Sequence, residues 1–191
     1  PIEVYQRMLA ALQPIYVALE RALADPDLLA AAPRLAPFRI PELDRQGALV
    51  ADLDALAVQT GRDPRHDPLP TPASRYAAHL MSLRQDTPIG LVGHIYTRYL
   101  GDLSGGQILK RAAIKAYGLS EASGGVAFFT FDRITSLGAT KKQIRAALDG
   151  LTLTPEEART IRDEAQRSFA WSEALFAALN DADADADAGP D

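Results

Sequence analysis

A chain of 191 residues, 47% hydrophobic and 24% charged, is long enough for one domain with a sizeable core. It holds no cysteine, which excludes disulfides, thiolate metal sites and a cysteine nucleophile, and fits a reducing, cytoplasmic setting. The net charge of −5 is accounted for by Asp181, Asp183, Asp185, Asp187 and Asp191, so the body is neutral and a general nucleic-acid binder is not expected. No apolar run approaches the roughly 20 residues that span a bilayer, so no membrane anchor is expected.

Ile2–Leu23 places Val4, Met8, Leu12, Ile15, Leu19 and Leu23 at helical spacing, with Pro14 expected to end or kink the helix near Gln13. Asp25–Pro41 carries four prolines and reads as a connection, with room for a short helix at Leu28–Ala32. Pro41–Gln59 is helical again through Leu43, Leu49, Leu53 and Leu56, and Gly61–Pro70 is a proline- and aspartate-rich loop. Thr71-Pro72 reads as an N-cap followed by proline at the first helical position, opening a helix to about Arg84. Thr87-Pro88 repeats the signal and opens a long segment with glycines in its middle, closed by Gly118 after Tyr117.

Ser123–Phe131 is glycine-rich, then aromatic, and is expected to be an ordered loop. Ile134–Leu148 is helical and closed by Gly150. Thr154-Pro155-Glu156-Glu157 is a capping box that opens a last helix through Ile161, Ala165, Phe169, Phe176 and Leu179. The Asp-Ala tail, residues 181–191, is low-complexity and expected to be disordered. The class is all-α, with about six helices in one domain over residues 1–180.

The informative stretch is Arg98-Tyr99-Leu100-Gly101-Asp102-Leu103-Ser104-Gly105-Gly106. Each glycine inside a helix costs about 1 kcal/mol relative to alanine, and three fall within one and a half turns. Gly101 and Gly105, four apart, share a face and leave it bare. By themselves the glycines favour close helix packing. Asp102 tips the reading toward a flat ligand on the bare face, because an aspartate there needs a partner or water. Arg98, one turn earlier, can pair with it, and an aspartate holding ordered water could relay protons.

Of the three histidines, His66 sits in a polar loop, His79 in an ordinary helix, and His94 is the one suited to burial; none makes a metal-ligand spacing. Lys141 and Arg145 share a face, either as a solvated surface or as a clamp for a ligand carboxylate.

The run from His94 through Tyr96-Thr97-Arg98-Tyr99-Leu100-Gly101-Asp102-Leu103-Ser104-Gly105-Gly106 to Gln107 resembles the signature of the heme oxygenases. The likeness continues in Gly125–Phe131, Leu153-Thr154-Pro155, Ile15–Glu20 and Thr71-Pro72-Ala73. It implies an all-α bundle with a glycine-kinked distal helix. It also implies a soluble, bacterial-type enzyme that cleaves heme b, both substrate and cofactor, with O2 to biliverdin, carbon monoxide and ferrous iron.

By the same resemblance, Gly101 and Gly105 lie close to the heme plane, and Asp102, Arg98 and Tyr16 hold a catalytic water network. Tyr96, Lys141 and Arg145 bind the propionates, Phe169 packs on the heme, and Thr97 and Ser104 line the site. His94 does not bind iron. The axial histidine would lie on a helix upstream of Pro1, and electrons would come from a separate reductase or ferredoxin docking near Lys110, Arg111 and Lys115. The alternatives are a non-catalytic heme-binding protein and a helical interaction module whose glycines only pack helices. A thiamin-degrading hydrolase would need a cysteine that the chain lacks.

Overall fold

In the computed structural model, which describes residues 1–187 and their side chains through Asp181, every long element is a helix. Eight α-helices are described: α1 Ile2–Ala24, α2 Pro26–Ala31, α3 Gln46–Thr60, α4 Thr71–Asp86, α5 Leu91–Ser104, α6 Gly106–Tyr117, α7 Leu137–Asp149 and α8 Pro155–Asp187. Short 3-10 turns cover Pro33–Phe38, Pro41–Leu43, Pro64–His66, Pro88–Gly90 and Ala127–Phe129. α1 is the central post, packed against α3, α4 and α8, and α5 packs along α8.

α1 runs unbroken through Pro14, contrary to expectation. Proline removes one backbone hydrogen bond, but Leu9, Leu12, Ile15, Tyr16, Leu19 and Leu23 are all buried, and that burial outweighs the local loss. The helix expected over Pro41–Gln59 is split at Asp44–Arg45, where the Glu20 carboxylate of α1 accepts the amides of Arg45 and Gln46 and so caps α3 from outside its own sequence. Thr71 makes no cap; it is the first residue of α4, and its carbonyl accepts from Ser74. Ser136, not Ile134, opens α7, its hydroxyl accepting the amide of Ala139. Eight α-helices replace the about six expected because Pro26 and Gly105 each open an additional one.

Several local signals hold as read. The capping box is reciprocal: the Thr154 amide donates to Glu157 Oε2 at 2.9 Å and the Glu157 amide to Thr154 Oγ1 at 3.2 Å. Gly118 ends α6 in the left-handed region at φ 67°, where a side chain would be strained. α8 continues through Asp187, into the segment expected to be disordered; residues 188–191 lie outside the described residues.

The aromatic loop is held by two buried charges. Asp52 accepts the amides of Ala127 and Phe128, both at 2.7 Å, and Arg45 donates to the carbonyls of Leu43, Phe128 and Thr130 while lying 4.1 Å over the Phe131 ring. This fixes Phe128 edge-on to Tyr16, ring centroids 5.3 Å apart, and so orients the tyrosine that reaches the site.

Burial pushes the Glu20 carboxyl from 4.5 up to about 7, against the downward pull of the Arg45 amide. A carboxyl whose folded-state value lies above its unfolded one contributes stability below the unfolded value and loses it as pH rises through the folded value. Stability should therefore fall by on the order of 3 kcal/mol between pH 4.5 and 7 on account of this group. Glu20→Gln, which keeps an oxygen for the amides, should flatten that slope in chemical denaturation. An unchanged slope would remove Glu20 as its cause.

Candidate functional site

α5 carries the site because its three faces meet different surroundings. Gly93, one turn from its start, is pressed against α8: a β-carbon there would stand 2.5 Å from the Ile161 carbonyl oxygen and 2.7 Å from the Ala165 nitrogen. This is the packing glycine. Gly101 and Gly105 are different. A β-carbon on Gly101 meets nothing within 4 Å, and one on Gly105 meets only the Gly101 carbonyl, at 3.5 Å. Both are exposed, as is Ser104 between them. The choice between helix packing and an open face is thereby made for these two positions: they present bare backbone to the outside. The chain hands over from α5 to α6 at Gly105, whose amide still bonds Gly101 at 2.8 Å.

Beside the bare face, Asp102 is buried at 9% exposure and accepts a short hydrogen bond from the Tyr16 hydroxyl of α1. Arg98 donates to the same hydroxyl from Nε at 3.2 Å and Nη2 at 3.1 Å, and to Ser172 Oγ of α8 at 3.2 Å. The expected direct Arg98–Asp102 pair is therefore replaced by a bridge through Tyr16. Burial pushes the Asp102 carboxyl upward, with Arg98 and the Tyr16 hydrogen bond pulling it back, and burial holds the Tyr16 phenol well above its usual value. A carboxyl raised in this way, at the edge of an open face, can hold and pass a proton.

A second polar chain runs behind α5. The Thr97 hydroxyl lies 2.6 Å from Ser168 Oγ, Ser168 lies 2.7 Å from the Tyr76 hydroxyl, and Tyr76 lies 2.9 Å from His94 Nδ1. His94 Nε2 and His79 Nε2 both meet Glu164 Oε2, at 2.9 and 2.6 Å. His94 is fully buried, as its sequence position suggests. His79, read as ordinary, is part of this cluster. Thr97, expected among ligand-lining residues, is half-buried and also lies within hydrogen-bond reach of the Gly93 and His94 carbonyls.

The remaining candidates are spread over α5, α7 and α8. Tyr96 is 40% exposed and Phe169 59% exposed, the latter next in sequence to Ser168, which touches Thr97 one turn before Gly101. Lys141 is half-buried and Arg145 exposed on α7, which packs against α5, and neither has an ion-pair partner among the described residues. Sequence reasoning missed Ser168, Ser172 and Glu164. Their signal was available: spaced by four along α8, they form a polar stripe on a face otherwise defined by Ile161, Leu175 and Leu179.

The backbone is bare at Gly101 and Gly105, the buried Asp102 carboxyl stands beside it, and Lys141 and Arg145 lie on α7, which packs against α5.

Residues 2–178 match the family model described as Heme oxygenase. The chain is 40% identical over 183 residues to heme oxygenase 1 of Pongo abelii, with 94% of this chain and 61% of that protein covered. It is thus shorter than the curated relative, spanning about three fifths of it. Among solved structures, it superposes on heme oxygenase-1 from Synechocystis sp. PCC6803 in complex with heme with a TM-score of 0.80 and 32% identity, covering 95% of this chain and 77% of that one. Heme oxygenase-2 from the same organism, in complex with heme and NO, gives 0.84 and 31%, covering 95% and 73%. No described helix is long and apolar enough to cross a membrane.

Proposed function

The chain belongs to the heme oxygenase family, and on that premise we propose that it binds heme b on the Gly101–Gly105 face and cleaves it with O2 to biliverdin, carbon monoxide and ferrous iron. The observation that carries this reading is the juxtaposition of an open, side-chain-free helix face with the buried Asp102–Tyr16–Arg98 network. When bound, heme supplies the iron that activates oxygen and the porphyrin edge that is oxidised.

Gly101 and Gly105 let the ring plane approach the backbone and leave space above it. Asp102 holds the proton and ordered water, Tyr16 orients Asp102, and Arg98 balances its charge. Tyr96, Lys141 and Arg145 hold the propionates, and Phe169, Thr97 and Ser104 border the ring. His79 and His94 are both engaged with Glu164, and His66 is exposed in the turn before α4. Electrons come from a separate reductase or ferredoxin, drawn to exposed Arg111 and Lys115 beside Lys110, which itself pairs with Glu121. The proposed setting is the cytoplasm.

The test is a heme titration followed by reduction and admission of oxygen. A Soret band that converts to biliverdin, with carbon monoxide released, is expected; a stable heme complex that yields neither product would leave a heme-binding protein without turnover. Arg145→Ala should weaken heme binding several-fold, about 1 kcal/mol for an exposed charge pair, and broaden the product isomers. Unchanged affinity and isomer would take Arg145 out of the clamp.

A further inference from the structure

Outside the glycine face, the most unusual side-chain cluster lies where α4, α5 and α8 meet. His79, His94 and Glu164 bring two imidazole nitrogens and a carboxylate oxygen within 4.8 Å of one another. His94 is fully buried and Glu164 nearly so, while His79 is 20% exposed at the surface edge. One histidine would satisfy the carboxylate oxygen facing α5. Here both imidazoles aim the same atom, Nε2, at the same oxygen, Oε2, at 2.6 and 2.9 Å. The other oxygen, Oε1, is left to Arg167, 3.7 Å away.

We propose that this cluster is a binding site for a zinc-class divalent metal ion, separate from the heme face and ligated by His79 Nε2, His94 Nε2 and Glu164 Oε2. Two neutral imidazoles and one carboxylate suit zinc, and three protein ligands leave a fourth position for water, reached from the His79 side. Metal–nitrogen bonds of about 2.0 Å place tetrahedral donors about 3.3 Å apart. The two carboxylate contacts therefore open by about half an ångström on loading, a small change for side chains on three separate helices. As it stands, protons on the two Nε2 atoms hold the cluster together in place of the ion.

An independent feature supports a ligand role. A metal-binding histidine is typically held through its second nitrogen by a fixed hydrogen-bond partner. His94 Nδ1 meets the Tyr76 hydroxyl at 2.9 Å, Tyr76 meets Ser168 at 2.7 Å, and Ser168 meets Thr97 at 2.6 Å. The ring of His94 is thus oriented by a buried relay before any ion arrives.

The experiment uses heme-free, chelator-stripped protein, so its outcome does not depend on the heme reading. Zinc is titrated against a chromophoric chelator, and cobalt is added in parallel to read visible ligand-field bands. One equivalent of zinc is expected. His79→Ala, at a partly exposed position that should tolerate the change, is expected to lower affinity at least tenfold with its helical circular dichroism intact. Tyr76→Phe should lower it by about 10- to 100-fold through loss of the orienting partner. His66→Ala should leave it unchanged. The proposal is overturned if the protein takes up no stoichiometric zinc, if His79→Ala binds as tightly as the parent, or if His66→Ala abolishes uptake.

Discussion

Asp102→Ala should lower biliverdin formation by about 10²- to 10⁴-fold, the range a positioned proton-transfer group supplies, with heme affinity nearly unchanged. The carboxyl adjoins the bare face, and its partners, Tyr16 and through it Arg98, are fixed by other helices. Removing it leaves the Tyr16 hydroxyl without its acceptor and Arg98 without its nearest counter-charge. A stability loss of about 1–3 kcal/mol should accompany the kinetic effect. Asp102→Asn keeps the shape and an acceptor for Tyr16, so it separates the two effects: stability should recover in part, and product formation should not. Single-turnover product analysis of both variants reads this out. Biliverdin made by Asp102→Asn at the parent rate would show that the carboxyl does not move the proton.

Gly93→Ala is expected to be the most damaging glycine substitution to the fold. Its β-carbon would meet the backbone of α8 at 2.5 and 2.7 Å, and backbone cannot rotate aside as a side chain can. α5 and α8 would have to separate, at a cost of about 3 kcal/mol or more. The separation would also stretch Thr97–Ser168 and Arg98–Ser172, so heme affinity should fall along with the melting temperature. A Gly93→Ala variant that melted within a degree of the parent would show that the two helices have slack.

The glycines also show what the sequence could and could not convey. Local signals were legible because their partners lie within one turn: the Thr154–Glu157 box and the Gly118 stop are both present as read. The bare face was legible from the spacing of Gly101 and Gly105, but spacing could not tell it from a packing face. Gly93, which packs on the α8 backbone, was not singled out, because the backbone it touches is 68 to 72 residues away. Pro14 misled for a similar reason: the burial that holds α1 together comes from α3, α4 and α8.

Arg98 and Asp102 were paired by their spacing, whereas Tyr16 joined them only by resemblance to a family, since it lies 86 residues from Asp102. The bridge of Tyr16 between Arg98 and Asp102 appears only in three dimensions. So does the outside cap of α3 by Glu20, which no pattern around Gln46 announces. The polar stripe Glu164–Ser168–Ser172 was visible as a period, yet its meaning depended on Tyr76, His79 and His94 from two other helices.

The central claim is that the Gly101–Gly105 surface is where heme lies. Gly101→Leu tests it most directly, with a heme titration followed in the Soret region and a melting curve on the same sample. Because a side chain at 101 starts into open space, the melting temperature should hold or rise slightly as helix propensity improves by up to about 1 kcal/mol. The Soret titration should weaken by at least about tenfold, since a leucine would occupy the volume of the ring. A variant that melts like the parent and binds heme equally well would contradict the account.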